Sequence, residues 1–142
     1  MNRVINNQDL FWVPKRFLIY ELKSIKKVVG FADWDVGLHL LNNQQIQLMN
    51  KQYRSKDKPT DVLSFPFNEI SQPGKLSMIS NDQVAIKDLG DIFLSLEYAI
   101  SSARATNVNN YDWIRVLLVH SICHLLGYDH IKDSDYLIVS SF

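Results

Sequence analysis

Residues 113–126 constrain the fold more than any other part of the chain. Ile114, Val116, Leu117, Leu118, Val119, Ile122, Leu125 and Leu126 cover nearly every direction of a helix there, and Arg115 is its one charge. A helix apolar on almost every side is expected at the centre of a fold, with the rest of the chain wrapped around it. Two histidines, His120 and His124, interrupt this apolar run. At about 100° per residue, positions four apart differ by only about 40° and lie one turn up. Their imidazoles therefore point the same way and can share a ligand.

Gly127 is placed to end that helix, and His130 follows it closely. A tight turn can bring His130 back over the other two. Three neutral imidazoles with an open fourth position make the arrangement of a catalytic zinc. A zinc ion there would polarise a bound water and lower its pKa to about 7. His120, His124 and His130 are thus the candidate metal ligands, for one zinc ion per chain. The spacing matches the metzincin pattern H-E-x-x-H-x-x-G-x-x-H, with Ser121 in place of the glutamate. A zinc peptidase is therefore one reading, and the missing general base argues against it. Cys123 lies about 60° from His120 and about 100° from His124 on the helical wheel, which suits a small core residue better than a fourth ligand. Asp129 can hold an imidazole as an acceptor or serve as a turn residue. Asp133 and Asp135 read as solvated groups or as caps of a last short helix.

The remaining elements follow from periodicity and caps. A short strand is expected at residues 3–6. Pro14 suits a first helical residue, and Leu18, Leu22, Ile25 and Val29 form the apolar stripe of the helix that follows. Lys15, Arg16, Lys23, Lys26 and Lys27 lie off that stripe, and Gly30 is its stop. Residues 34–41 read as a strand with Val36, Leu38 and Leu40 on one face and an isolated, structural His39 on the other. Asn42 or Asn43 caps a second helix that runs to Tyr53, with Ile46, Met49 and Tyr53 buried. A strand at 61–65 ends at Pro66, and residues 66–87 are loop-like. A strand at 89–94, a helix at 96–105 and an Asn109 or Asn110 cap on the long helix complete the reading. Strands and helices that do not alternate strictly indicate an α+β fold with a small mixed sheet.

A length of 142 residues suits one domain spanning 1–142. With 46% apolar and 21% charged residues the chain is neither disordered nor fibrous. One cysteine excludes an internal disulfide framework and suits a reducing compartment. No apolar run approaches the roughly 18–20 residues of a membrane span, so a soluble cytoplasmic protein is expected. As a total, 15 Lys and Arg against 15 Asp and Glu count against nucleic acid. The zero is a cancellation between regions. Residues 15–27 hold five positive charges against one negative, and residues 51–58 hold four against one. The neutral total therefore does not exclude a nucleic acid, though it suits only modest non-specific affinity. Arg54, within the second of these segments, could grip a phosphate in a bidentate contact or simply answer a helix dipole. Asp61 and Ser64 read as hydrogen-bonding struts at the strand entrance.

His120-Ser121-Ile122-Cys123-His124-Leu125-Leu126-Gly127-Tyr128-Asp129-His130 resembles the H-G-x-L-H-L-x-G-Y-D-H signature of the YbeY family of bacterial endoribonucleases. Met49-Asn50-Lys51-Gln52-Tyr53-Arg54 with Lys58-Pro59-Thr60-Asp61-Val62-Leu63-Ser64-Phe65-Pro66 resembles its second motif, and Leu89-Gly90-Asp91-Ile92 its third. The resemblance spans roughly residues 34–130. It implies a zincin-like α+β fold around a buried central helix, with zinc on His120, His124 and His130. It also implies a metal-dependent nuclease for single-stranded RNA, acting in maturation of small-subunit ribosomal RNA and ribosome quality control. Partners would be ribosomal RNA and the small subunit or its assembly proteins, not DNA and not a membrane. The motif's arginine maps onto Arg54, which makes it the candidate catalytic residue. Ser121 departs from the usual Gly, and residues 134–142 depart from the family's acidic, Met-containing last helix. A non-enzymatic ribosome-assembly factor with a structural metal is a further alternative.

Overall fold

The computed structural model describes residues 2–68 and 86–128. In chain order these form β1 (Asn2–Asn6), α1 (Lys15–Val29), β2 (Asp35–Leu41), α2 (Asn43–Arg54), β3 (Val62–Pro66), β4 (Asp88–Ser95), α3 (Leu96–Ala105) and α4 (Asn110–Leu125). The four strands make one sheet in the order β1-β2-β4-β3. β1, β2 and β4 run parallel, and β3 pairs antiparallel with β4 as an edge strand. The expected α+β class with a mixed sheet is therefore what forms. The expected loop at 66–87 falls largely outside the described residues. Asp129, His130, Asp133, Asp135 and the C-terminal residues 134–142 also lie outside them.

Strand alternation sorts the two faces of the sheet. Val36, Leu38, Leu40, Ile92 and Leu94 turn to one face and join Leu18, Leu22, Leu118 and Ile122 in the main core under α1, α3 and α4. Leu41, Leu63, Phe65 and Phe93 turn to the other face and meet Ile46 and Met49 of α2. Gly90 has φ +126°, and a Cβ there would collide with the Phe65 carbonyl. Glycine is what lets β3 lie this close to β4.

The caps follow local chemistry. Asn42 and Gln45 form a reciprocal capping box at the start of α2. Asn109 caps α4 by accepting from the Tyr111 N–H at 2.9 Å. Gly30, with φ +89°, stops α1. Pro14 is the residue before α1 rather than its first residue. Its backbone is extended (ψ 126°), while its carbonyl already accepts the first helical bond from the Leu18 N–H at 3.4 Å.

Packing corrects the expected burial of Tyr53 and places two charged residues, Lys26 and Arg115, that periodicity left open. Lys26, off the apolar stripe of α1, is nonetheless buried. It is 2% exposed, and its Nζ donates to the Trp34 carbonyl at 2.6 Å. Burial pulls its pKa below the usual lysine range, against the raising pull of Asp35 and Asp33. Tyr53 is 59% exposed, because the last turn of α2 reaches the sheet edge, where Tyr53 meets Phe65 edge to face at 5.2 Å. Asn50 is buried there instead. Arg115, the single charge in the apolar run of α4, stays at the surface and grips buried Glu21 of α1 through two bonds of 3.0 and 2.9 Å. That fork fastens α1 to α4.

No helix among the described residues is long and apolar enough to cross a membrane.

Candidate active site

α4 is buried on most sides, but one stripe of it is open. Trp113, His120 and His124 are half-buried, and Val116 is 40% exposed. With Gly127 these positions recur every three or four residues, so they form one line along the helix. The stripe is one wall of a cleft of about 880 Å³. β3 with Thr60 and Asp61 forms a second wall, and Tyr53 and Arg54 at the end of α2 a third.

The helix end turns the chain back toward this cleft. Gly127 takes φ +90°, and the Tyr128 N–H donates to the Cys123 carbonyl at 2.9 Å. This closes the helix in the usual left-handed glycine manner, and Tyr128 then lines the cleft. His130 follows and lies outside the described residues.

His120 and His124 are thus brought together as their spacing predicts, each with an imidazole at the same cleft. Two half-buried imidazoles one turn apart suit a borderline-soft cation such as zinc. No group of three metal-ligand side chains occurs among the described residues. A three-histidine set therefore needs His130.

Other positions on α4 separate cleanly from the stripe. Ser121, at the site of the zincin glutamate, is 0% exposed, and its hydroxyl donates to the Leu117 carbonyl at 2.8 Å. It faces the core and cannot serve the cleft as a base. Cys123 is buried, and burial pushes its thiol up to about 11. It is a core residue, as its helical angle indicates. The native protein should therefore resist a thiol reagent at pH 8, with labelling at least about a hundredfold faster in denaturant. Fast labelling of the folded protein would contradict this placement.

Arg54 is the last residue of α2 and exposed. It forms no ion pair among the described residues, whereas its neighbour Lys51 lies 4.0 Å from Asp57. Asp61 is the one carboxylate among the described residues that line the cleft. It does act as a strut, because its Oδ1 accepts from the Val62 N–H at 2.7 Å and from the Thr60 hydroxyl at 3.3 Å. Ser64 lines the cleft beside it. His39 lies elsewhere, paired with Asp91 at 2.9 Å and stacked on Phe93 with ring centroids 4.3 Å apart.

Tyr53, Phe65 and Trp113 give the cleft aromatic walls that residue spacing did not assign to it. A signal for Trp113 was present, since it lies two turns before His120 on the same side of the helix. Spacing held none for Phe65, because alternation along β3 could not show that this strand is the sheet edge; only its place in the second motif marked it.

The chain is similar to proteins already known. The family model for endoribonuclease YbeY matches residues 12–141. The human protein named endoribonuclease YbeY is 33% identical over 137 residues, covering 96% of this chain and 80% of that protein. The protein of the same name from Sulfurihydrogenibium sp. (strain YO3AOP1) is 36% identical over 132 residues, covering 91% of this chain and 79% of its own. Among solved structures, the solution structure of TM1509 from Thermotoga maritima superposes with a TM-score of 0.58 at 25% identity, over 94% of this chain and 78% of that one. On the strength of its motifs, its fold and these relatives, the chain belongs to the YbeY endoribonuclease family.

Proposed function

We propose that the protein is a metal-dependent endoribonuclease that cuts single-stranded RNA in the cytoplasm, in maturation and quality control of small-subunit ribosomal RNA. The observation that carries this reading is the meeting of Arg54 with His120 and His124 at one cleft, although α2 and α4 are far apart in the chain. Ribosomal RNA would be the substrate, and the small ribosomal subunit or its assembly proteins would present it.

The residues divide the work. Arg54 binds the scissile phosphate, and its planar fork can hold two phosphate oxygens and neutralise charge that develops on them. Tyr53, Phe65 and Trp113 offer ring faces and edges for unpaired bases, a contact that tolerates any sequence. A base already stacked in a duplex cannot enter such walls, which favours single strands. His120, His124 and His130 would hold one metal ion, zinc being the best match to imidazole donors. Such an ion would supply Lewis-acid polarisation of a water or a phosphate oxygen. The attacking group is either water or the neighbouring ribose 2′-hydroxyl, and the chemical ends of the products tell the two apart.

Arg54→Ala should lower kcat/KM on an end-labelled single-stranded RNA by about a hundredfold, with metal content unchanged. Arg54→Lys should recover only part of the loss, since an ammonium cannot make the fork. Full activity in Arg54→Ala would remove Arg54 from the site. If that variant lacked nuclease activity yet restored ribosomal RNA maturation in depleted cells, the non-enzymatic assembly role would be favoured instead.

A further inference from the structure

We infer that Asn50 is a positioning residue for the cleavage reaction. It pins the segment that follows α2 and thereby fixes Arg54 at the cleft; the inference rests on the role proposed for Arg54 above.

Asn50 is 1% exposed, one turn before Arg54 on α2. It holds the following turn twice. Its backbone carbonyl accepts from the Lys56 N–H at 3.2 Å, and its side-chain Nδ2 donates to the Lys58 carbonyl at 2.9 Å. Between these bonds the chain leaves the helix at Ser55, which takes the left-handed φ of +58°. After Lys58 it passes through Pro59 to Thr60 and Asp61, which line the cleft. The far end of the segment is tied to the sheet, because the Ser95 N–H donates to the Asp61 carbonyl at 2.8 Å. Arg54 stands at the near end. A second tie, from the Gln47 Nε2 to the Asp57 carboxylate at 3.0 Å, is exposed and competes with water.

The chemistry at position 50 points the same way. The Oδ1 of Asn50 is buried with no partner among the described residues, a costly arrangement for an amide. An apolar side chain of similar volume would fill the space without that cost. What only the amide supplies is the donor to the Lys58 carbonyl. Its value lies in where it holds the chain, since a shift of about 1 Å in a substrate-gripping group can cost a hundredfold in rate.

Asn50→Leu keeps the volume and removes the donor. It should fold with a urea midpoint at or near that of the wild type. Its kcat/KM on a labelled single-stranded oligoribonucleotide should fall about tenfold to a hundredfold, with metal content unchanged. In an Arg54→Ala background the same substitution should change kcat/KM by less than about twofold, because its effect passes through Arg54. A merely structural role would give equal losses in both backgrounds, and that result would overturn the inference while leaving the role of Arg54 intact. Wild-type activity in folded Asn50→Leu would overturn it as well. Full activity in Arg54→Ala alone would instead sink the role of Arg54, and the inference with it. If Asn50→Leu does not fold, Asn50→Ala carries the same cycle.

Discussion

Replacing His124 with alanine is expected to abolish metal binding and to lower cleavage of single-stranded RNA by about a thousandfold or more. The size follows from the several kcal/mol of charge stabilisation that a bound metal contributes, at roughly 1.4 kcal/mol per factor of ten. His124 shares the open stripe of α4 with His120, so its removal takes away one of the two imidazoles that the helix itself aligns. The fold should survive, because position 124 faces the cleft and not the core beneath it. Metal analysis by mass spectrometry and an end-labelled cleavage assay measure the two effects separately. In the wild type, added zinc should also raise the melting temperature by mass action, and His124→Ala should lose that rise. Full metal content together with full cleavage in His124→Ala would remove the histidines from the site.

Ser121→Glu is expected to destabilise the protein by several kcal/mol. This substitution would recreate the zincin pattern in the sequence, and on spacing alone it should build a peptidase base. Burial of Ser121 against the Leu117 carbonyl predicts otherwise. A glutamate there must force extra atoms into a packed core and strand a carboxylate away from water. Against a total stability of roughly 5–15 kcal/mol, such a loss leaves little folded protein. Circular dichroism through a urea titration reads the stability, and a casein digest reads any peptidase activity, which should be nil. Ser121→Gly, toward the family's usual residue, should cost only about 0.5–1 kcal/mol. A Ser121→Glu protein with the wild-type urea midpoint would show that this face of α4 is not core.

Much of the fold was legible because its determinants are local. The caps at Gly30, Asn42 and Asn109 act within one turn of themselves, and the strand alternation of β2 runs over adjacent residues. The limits at α3 and the pairing of His120 with His124 come from the same short-range geometry. Lys26, Tyr53 and Asn50 were less legible. Periodicity says which side of a helix is apolar, but not how far a neighbouring element extends over that side. Lys26 is buried because the Trp34 carbonyl meets it from the next segment. Tyr53 is exposed because α2 runs out at a sheet edge. The grip of Glu21 on Arg115 joins residues in α1 and α4 that no local pattern connects.

By itself the sequence determined the chemistry available at each place. It set two imidazoles one turn apart on an apolar helix, a glycine to end that helix, and an arginine at the end of another. These outcomes follow from the 3.6-residue repeat and from backbone conformations that a single residue imposes. Only the tertiary structure decided that they share a site. β4 pairs with β2 on one side and with β3 on the other. That pairing makes β3 the edge strand beside α4 and carries Arg54 to the cleft of His120 and His124. Register between distant strands depends on which faces can be buried together, a property of the whole packed sheet and not of any one segment.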